Sequence, residues 1–594
     1  MITPITGWIR LPILVKISIT FTFPMKQPAR LANRQQLYPV LTYKEFYGVS
    51  STIANPFVHI SHYDFEDILL ALILINNSSE NRVDETININ ETLVARLPVF
   101  KALRLRYYMN RTDSGKFQLT NGTVISKIVT DLFGILPQEG EFLPSTDLHF
   151  EEYLLDIILI YNEKQFPEVG TNGKVQTHQS LWKLMLMQNI TGLNNIHYAR
   201  TANVKHTIFI QFLKDALQEK FEELESDFKR RTGMNGLYTP ALTLLNLFGG
   251  IENKYRELGN PIVLIEKSED TYTFLKSFGI VFNKNMAASH RGGIGFYITH
   301  PFYDHSDGRI YLVDHSNFAF AVDRGWFFYL YHHSNLCKLL SGVKDFESFL
   351  GHLGKHYFES YLVGGMLTKL HRPGFRVITT NDRELSDATL ILNEKDVFMI
   401  EVKSHALHAN VIDQMDVVGL QEFVNEKFAS DKKGAGQLAR LIRSFGDNTN
   451  DSLEIRQPKN KLTIYPIIIY TEQHLEKYGF GDYVAEKFHL LLTEYIHPFR
   501  DIKPLVMIHY DFFVENISLL EQRPSLLKSA INRYLSYISQ KKADFIKTGH
   551  NMDYLLSMSS FDQYIINIRF EGLYQLDQQA IFHNAGRLFK LKDE

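Results

Sequence analysis

A single cysteine, Cys337, stands in 594 residues. That scarcity excludes a disulfide framework and any thiolate metal cluster within one chain, and a reducing, cytoplasmic setting is expected. Net charge is scarce too, with 63 Lys and Arg against 66 Asp and Glu. A general basic surface for nucleic acid is therefore absent, and any such binding must rest on local patches. No run reaches eighteen uncharged apolar residues, so no membrane helix and no membrane partner are expected. The chain also has no GxxxxGKS or GxxxxGKT, no GxSxG, no HExxH and no GxGxxG after a strand. ATP-driven translocation is not expected of it.

What is present is apolar and aromatic material, 45% and 13% of the residues, enough to fill the cores of about two to four domains. From Ile9 to Phe23 every odd position is apolar. Period-two alternation reads as a half-buried strand, unless translation starts at Met25. Residues 1–260 read as mainly helical. Asp64–Asn77 and His149–Asn162 each open on acids and continue as apolar runs, which suits the positive end of a helix. The two resemble one another, by duplication or by chance use of a small alphabet. Thr207–Gly233 reads as one long amphipathic helix stopped by Gly233, with Lys229-Arg230-Arg231 complementing its C-terminal dipole.

Residues 261–335 carry short β-like runs (PIVLIEK, GFYITHPF, RIYLVDH, FAFAV) between turn signals. His290, His300, His305, His315, His332 and His333 lie here. None has metal-ligand spacing, so they read as core or surface histidines among aromatic strands.

Chemistry gathers in residues 336–520, before a closing helical segment at 521–594. Leu353–Leu367 reads as a helix with Phe358, Tyr361 and Leu362 on its apolar face and Glu359 beside them, ended by Pro373-Gly374. Three strand-like runs follow: Phe375–Thr380, Ala388–Leu392 opened by Asp387, and Val397–Val402. The polar stretch Asn393-Glu394-Lys395-Asp396 makes the last two a hairpin. The reversal brings Asp387 beside Glu401, and alternation puts Glu401 and Lys403 on one face. Two carboxylates and an ammonium at one sheet edge suit a hard cation such as Mg²⁺. Lys403 can then orient or deprotonate an attacking water, or neutralise a phosphate.

Glu359, Asp387 and Glu401-Val402-Lys403, in that order on helix, strand and strand, resemble the PD-(D/E)xK nuclease superfamily. Downstream, Gln437 and Arg440 in Lys432–Ser444 are similar to that superfamily's QxxR-like helix. Leu462–Tyr470 and Pro504–Tyr510 are read as its later strands. The resemblance implies an αβββαβ core within an α+β multidomain chain. It implies Glu359 as accessory carboxylate, Asp387, Glu401 and the Val402 carbonyl as metal holders, and Gln437 as an organiser of the site. Ser386 stands where the family pattern has proline. The implied function is Mg²⁺- or Mn²⁺-dependent hydrolysis of phosphodiester bonds, DNA before RNA, of the kind used in restriction or anti-phage defence. A structure-specific or RNA-directed nuclease and a non-catalytic partner-binding protein remain open, as does a homodimer.

A basic flank accompanies these residues. Lys432, Lys433, Arg440 and Arg443 stand against Asp431, and Arg456, Lys459 and Lys461 follow. Such a flank is what phosphodiester binding needs.

Overall fold

The computed structural model describes residues 41–573, apart from 81–92, 94–95, 110–118, 121, 136–148, 166–181, 183–193, 259–262, 268, 290–293, 380–385, 409, 412–415, 448–452, 477–478, 550 and 569. The Ile9–Phe23 alternation, Met25 and His290 lie outside the described residues. The chain is α+β, and its named elements before Leu264 are helices. Both apolar runs with acidic openings are helical, Phe65–Glu80 and Phe150–Gln165, with Glu66, Asp67, Glu151 and Glu152 in the first turns.

The long amphipathic helix is two helices. Ala202–Leu217 ends at Gln218, whose backbone turns to φ 51° and ψ −121°, and Phe221–Thr232 follows. No Gly or Pro marks that break, so composition gives no sign of it. Gly233 closes the second helix in the left-handed conformation, which a residue without a Cβ adopts freely. Arg231 Nε donates to Asp227 at 2.7 Å and Arg230 pairs with the same carboxylate. The basic run is thus partly used within its own helix.

A four-stranded sheet follows, ordered β1-β4-β3-β2 from Leu264–Glu266 (β1), Val281–Phe282 (β2), Phe302–Asp304 (β3) and Arg309–Leu312 (β4). Two of the β-like runs are not strands: Ile294–Thr299 and His315–Phe320 are helical. Short apolar runs do not separate the two states by periodicity. Asp314 decides the second case, its Oδ1 accepting the Asn317 N–H at 2.8 Å as an N-cap. The histidines settle against rings: His300 on Phe296, His315 on Phe248, His333 on Tyr329. The sheet divides two apolar cores. Phe282, Tyr303 and Tyr311 pack with the helices of residues 41–161. Val281, Phe302 and Ile310 join a core that runs from Ala199 to Leu573.

The second sheet has the order β10-β8-β7-β6-β5, from Phe375–Thr379 (β5), Ala388–Leu392 (β6), Asp396–Lys403 (β7), Thr463–Tyr470 (β8) and Val506–His509 (β10). A short strand Asp501–Ile502 (β9) pairs with the start of β8. β5, β6 and β7 form an antiparallel meander, whereas β8 runs parallel to β7 and β10 parallel to β8. The β7-to-β8 crossover carries the helices Val417–Lys427 and Ala435–Gly446, as a parallel connection requires. Both faces are covered: Val402, Ile467 and Ile508 face the Ala199–Leu573 core, and Met399, Ile468 and Met507 face the crossover helices. That is why β8 is an unbroken apolar run.

Pro466 sits inside that run although proline cannot donate to a ladder. β9 pairs only with Thr463 and Ile464, and β10 only with Ile467 to Tyr470. The proline falls in the gap between them. The β6–β7 turn is as compact as its residues suggest: Asn393 and Glu394 take φ values of 51° and 56°, and Lys395 N–H closes it on Leu392 O at 3.1 Å. Asn is among the few non-glycine residues that accept such a backbone.

The helix before β5 forms as expected, with one difference. It starts at Phe346 on an Asp345–Ser348 capping box, and Leu353–Gly364 is wound as a π-helix before it returns to α at Gly365–Thr368. Such wider turns concentrate at functional sites, and Glu359 lies inside this one.

Candidate active site

Register alone brings the acids together. Ala388 pairs with Ile400 across the hairpin, so Asp387 stands opposite Glu401. Asp387 Oδ2 accepts the Val402 N–H at 2.7 Å, which fastens the approach to β6 onto β7. Ser386 is buried, and its hydroxyl reaches Ala388 O at 2.9 Å and Thr389 Oγ1 at 2.8 Å. It holds the turn by hydrogen bonds rather than by a fixed φ.

Glu401 and Lys403 share the face of β7 that meets the helix Ala435–Gly446. Lys403 Nζ lies 2.9 Å from Glu401 Oε2 and 3.4 Å from Gln437 Oε1, and Gln437 Nε2 donates to Glu401 Oε1 at 2.5 Å. Gln437 thus touches both members of the pair. Glu401 is fully buried, while the Lys403 side chain keeps 12% of its surface open to solvent.

The electrostatics are those of crowded acids. Burial pushes the Glu401 carboxyl up to about 8, and the Asp387 charge adds to the push while Lys403 opposes it. Burial and Asp387 push Glu359 up to about 7, opposed by Lys403 and Lys355. Glu359 therefore belongs to the same charge cluster. The helix that carries it is pressed against the end of β7: a Cβ on Gly354 would lie 2.5 Å from Ser404 Oγ.

Among the described residues, no group of three His, Cys, Asp or Glu is placed to hold a metal ion by itself. The donor chemistry nevertheless suits a hard cation, because Asp387, Glu401 and the Val402 carbonyl are oxygen donors. Mg²⁺ is commonly held by one or two carboxylates, with water and phosphate completing its shell.

The predicted flank separates into two parts. Lys432 and Lys433 are exposed on the loop that leads into the Gln437 helix. Arg440, one turn beyond Gln437, donates to Lys432 O at 2.9 Å and stays exposed. Arg443 is not brought to the site: it bonds the Leu491 carbonyl and lies 6.0 Å over the Tyr495 ring. Lys459 donates to Gly446 O at the far end of the same helix. Lys461 precedes β8 at the end opposite Lys403.

Sequence reasoning missed His405, Lys427 and Lys355. Lys403, Lys427 and Lys433 all hold the His405 imidazole down, to about 4, with burial the largest cause. Their spacing in the chain carries no motif. No protein-family model, curated protein or solved structure matches this chain. Among the described residues, no helix is long and apolar enough to cross a membrane.

Proposed function

We propose that this chain is a metal-dependent nuclease that hydrolyses phosphodiester bonds, with DNA as the substrate class. One observation carries the reading. Lys403 is held between Glu401 and Gln437, with Asp387 across the hairpin from Glu401, on an order of helix, three strands, two helices and strand. That combination supports the resemblance in both sequence order and placement.

Each residue then has a task. Asp387, Glu401 and the Val402 carbonyl would hold Mg²⁺ or Mn²⁺, which when bound supplies a more acidic water and a counter-charge for the phosphate. Lys403 donates hydrogen bonds from the open side of the cluster, where it orients the attacking water or neutralises the scissile phosphate. Gln437 keeps Lys403 and Glu401 at fixed separation, so positioning costs little during reaction. Glu359 adds negative charge beside Asp387 and so favours a bound cation. Asp387 fixes the two strands through Val402 N–H. A role in restriction or anti-phage defence goes with a large accessory region joined to such a core, as fold-level analogy.

The test is cleavage of plasmid, linear duplex, single-stranded DNA and RNA with Mg²⁺ or Mn²⁺, by wild type, Lys403→Ala and Asp387→Ala. Metal-dependent cutting that disappears in both variants supports the reading and names the substrate. Cutting of RNA alone would move it to an RNA-directed enzyme. Cleavage equal in all three proteins would remove the site assignment.

A further inference from the structure

β7 ends at Lys403, and a second group of charges gathers where the chain continues through Ser404 to His405. Lys427 closes the helix Val417–Lys427, and Lys433 stands on the loop that leads to Gln437. Glu426 lies between them, its Oε1 2.7 Å from Lys427 Nζ and 3.9 Å from Lys433 Nζ. Lys403, Lys427, Lys433 and Glu426 all act electrostatically on His405. One carboxylate thus serves two ammonium groups, of which Lys433 is exposed and Lys427 partly buried, while Lys403 already has Glu401.

The loop that presents Lys433 is closely packed against the end of the preceding helix. Gly434 has φ +56°, and a Cβ there would meet Phe428 O at 2.2 Å. One on Gly436 would meet Asp431 O at 2.3 Å. Ala435 N–H donates to Phe428 O at 2.8 Å and Lys433 N–H to Ser430 Oγ at 3.0 Å. The Lys433 backbone is therefore fixed relative to the end of the neighbouring helix, where Lys427 stands. The Glu426 side chain is 63% exposed, Lys433 49% and Lys427 24%. An ion pair with so exposed a carboxylate is weak and screened by salt, whereas a phosphate oxygen takes short, charge-assisted bonds from ammonium groups. His405, two residues beyond Lys403, is half-buried and lies within electrostatic reach of Lys403, Lys427 and Lys433.

We propose that Lys427 and Lys433 form a phosphate subsite next to the reacting centre, and that Glu426 is its built-in competitor. The subsite holds the phosphodiester adjacent to the one that Lys403 faces. In naming nucleic acid it rests on the nuclease reading above.

The experiment uses the full-length chain in EDTA, where metal-dependent cleavage cannot confound binding. A fluorescent DNA duplex and, separately, inorganic pyrophosphate are titrated into wild type, Lys427→Ala/Lys433→Ala and Glu426→Gln, each checked for an unchanged melting curve. The double variant should bind duplex on the order of tenfold more weakly at 0.1 M salt, with a salt slope lower by about two. Glu426→Gln should bind it about threefold more tightly, since it loses only an exposed competitor. Equal affinity and slope in wild type and double variant, or weaker binding by Glu426→Gln, overturns the subsite and leaves the nuclease reading standing. Pyrophosphate binding that depends on the two lysines, with no duplex bound, overturns the subsite as a DNA contact and leaves the nuclease reading to the cleavage assay. If neither probe binds wild type, the subsite falls, and the cleavage assay decides the nuclease reading separately.

Discussion

Lys403 and Lys205 stand at the same end of the larger sheet, and each is gathered with carboxylates and a glutamine. Around Lys403 are Glu401, Asp387 and Gln437. Around Lys205 are Asp323, Asp511 at 3.1 Å and, through Asp323 Oδ2, Gln473 at 2.7 Å. The ingredients match, but the surroundings do not. The Lys403 side chain is 12% exposed and Lys205 2%, with Asp323 and Asp511 sealed beside it. An ammonium with an open side can exchange one partner for a water or a phosphate. A sealed one cannot, and its work is to cancel charge.

The two clusters are joined by backbone. Thr471 N–H donates to Lys403 O at 3.2 Å, and Thr471 O accepts from Arg324, which also contacts Asp323 at 3.3 Å. His509 packs on the same carbonyl at 3.3 Å. Lys205 comes from the Ala202–Leu217 helix and Asp511 from the segment after β10. The sealed cluster therefore ties the N-terminal helices to the strand end that carries the open one.

The comparison breaks most visibly at Lys205. Lys205→Met leaves Asp323 and Asp511 buried without their principal cation, and removal of one partner from such a cluster costs about 3–5 kcal/mol. Denaturant unfolding should show a loss of that size. The triple variant Lys205→Met/Asp323→Asn/Asp511→Asn should recover most of it, because no uncompensated charge stays buried. A single variant as stable as wild type would mean that the cluster is not what holds the two parts together.

Lys403→Ala should reverse the pattern. Activity is expected to fall about a hundred- to a thousandfold, roughly 3–4 kcal/mol in the barrier, as for removal of one preorganised charge-stabilising donor. Stability should change by under about 1 kcal/mol, since the Lys403 side chain still reaches solvent and burial already pushes the Glu401 carboxyl up toward its neutral form. Kinetics on the cleaved substrate, with denaturation on the same preparation, separates the two effects. A large stability loss with unchanged cleavage would make Lys403 a structural residue like Lys205.

The open cluster was legible in the sequence because its parts are local. A hairpin and a period of two bring Asp387, Glu401 and Lys403 together within seventeen positions. The Gln437 helix, the β8 and β10 strands and the acidic openings of the early helices were legible for the same reason. The sealed cluster had no such signal: Lys205 and Asp511 are 306 residues apart, and nothing in the local pattern pairs them. The break at Gln218 and the helix at His315–Phe320 were missed because tertiary packing and a single Asp cap outweigh short-range pattern. The π winding at Leu353–Gly364 has no composition mark either.

A smaller effect sharpens the electrostatic side of the contrast. A carboxyl raised in the folded state contributes stability that is present below its unfolded value, near 4.5, and lost as pH rises through the folded value, about 7 for Glu359 and about 8 for Glu401. Metal-free protein should therefore lose stability between pH 5 and pH 8.5. A bound cation competes with those protons, so the Mg²⁺ concentration that raises the melting temperature should fall as pH rises over that window. Glu401→Gln should flatten the dependence most. A Mg²⁺ midpoint that is the same at pH 6 and pH 8.5 would sink the assignment of these carboxyls to a cation.

The smallest effect distinguishes two arginines three residues apart on one helix. Arg440 shares the Gln437 side and keeps its charge in solvent, so Arg440→Ala should weaken nucleic-acid binding by about one phosphate contact and lower the salt slope by about one. Arg443 is spent on Leu491 O and Tyr495, so Arg443→Ala should leave the slope alone and cost about 1–2 kcal/mol of stability through the lost charge-assisted bond. Binding titrations at several salt concentrations and a melting curve for each variant suffice. If the two variants changed places, the Lys403 side of this helix would not be the side that meets substrate, and the open cluster would have to be read as a second structural one.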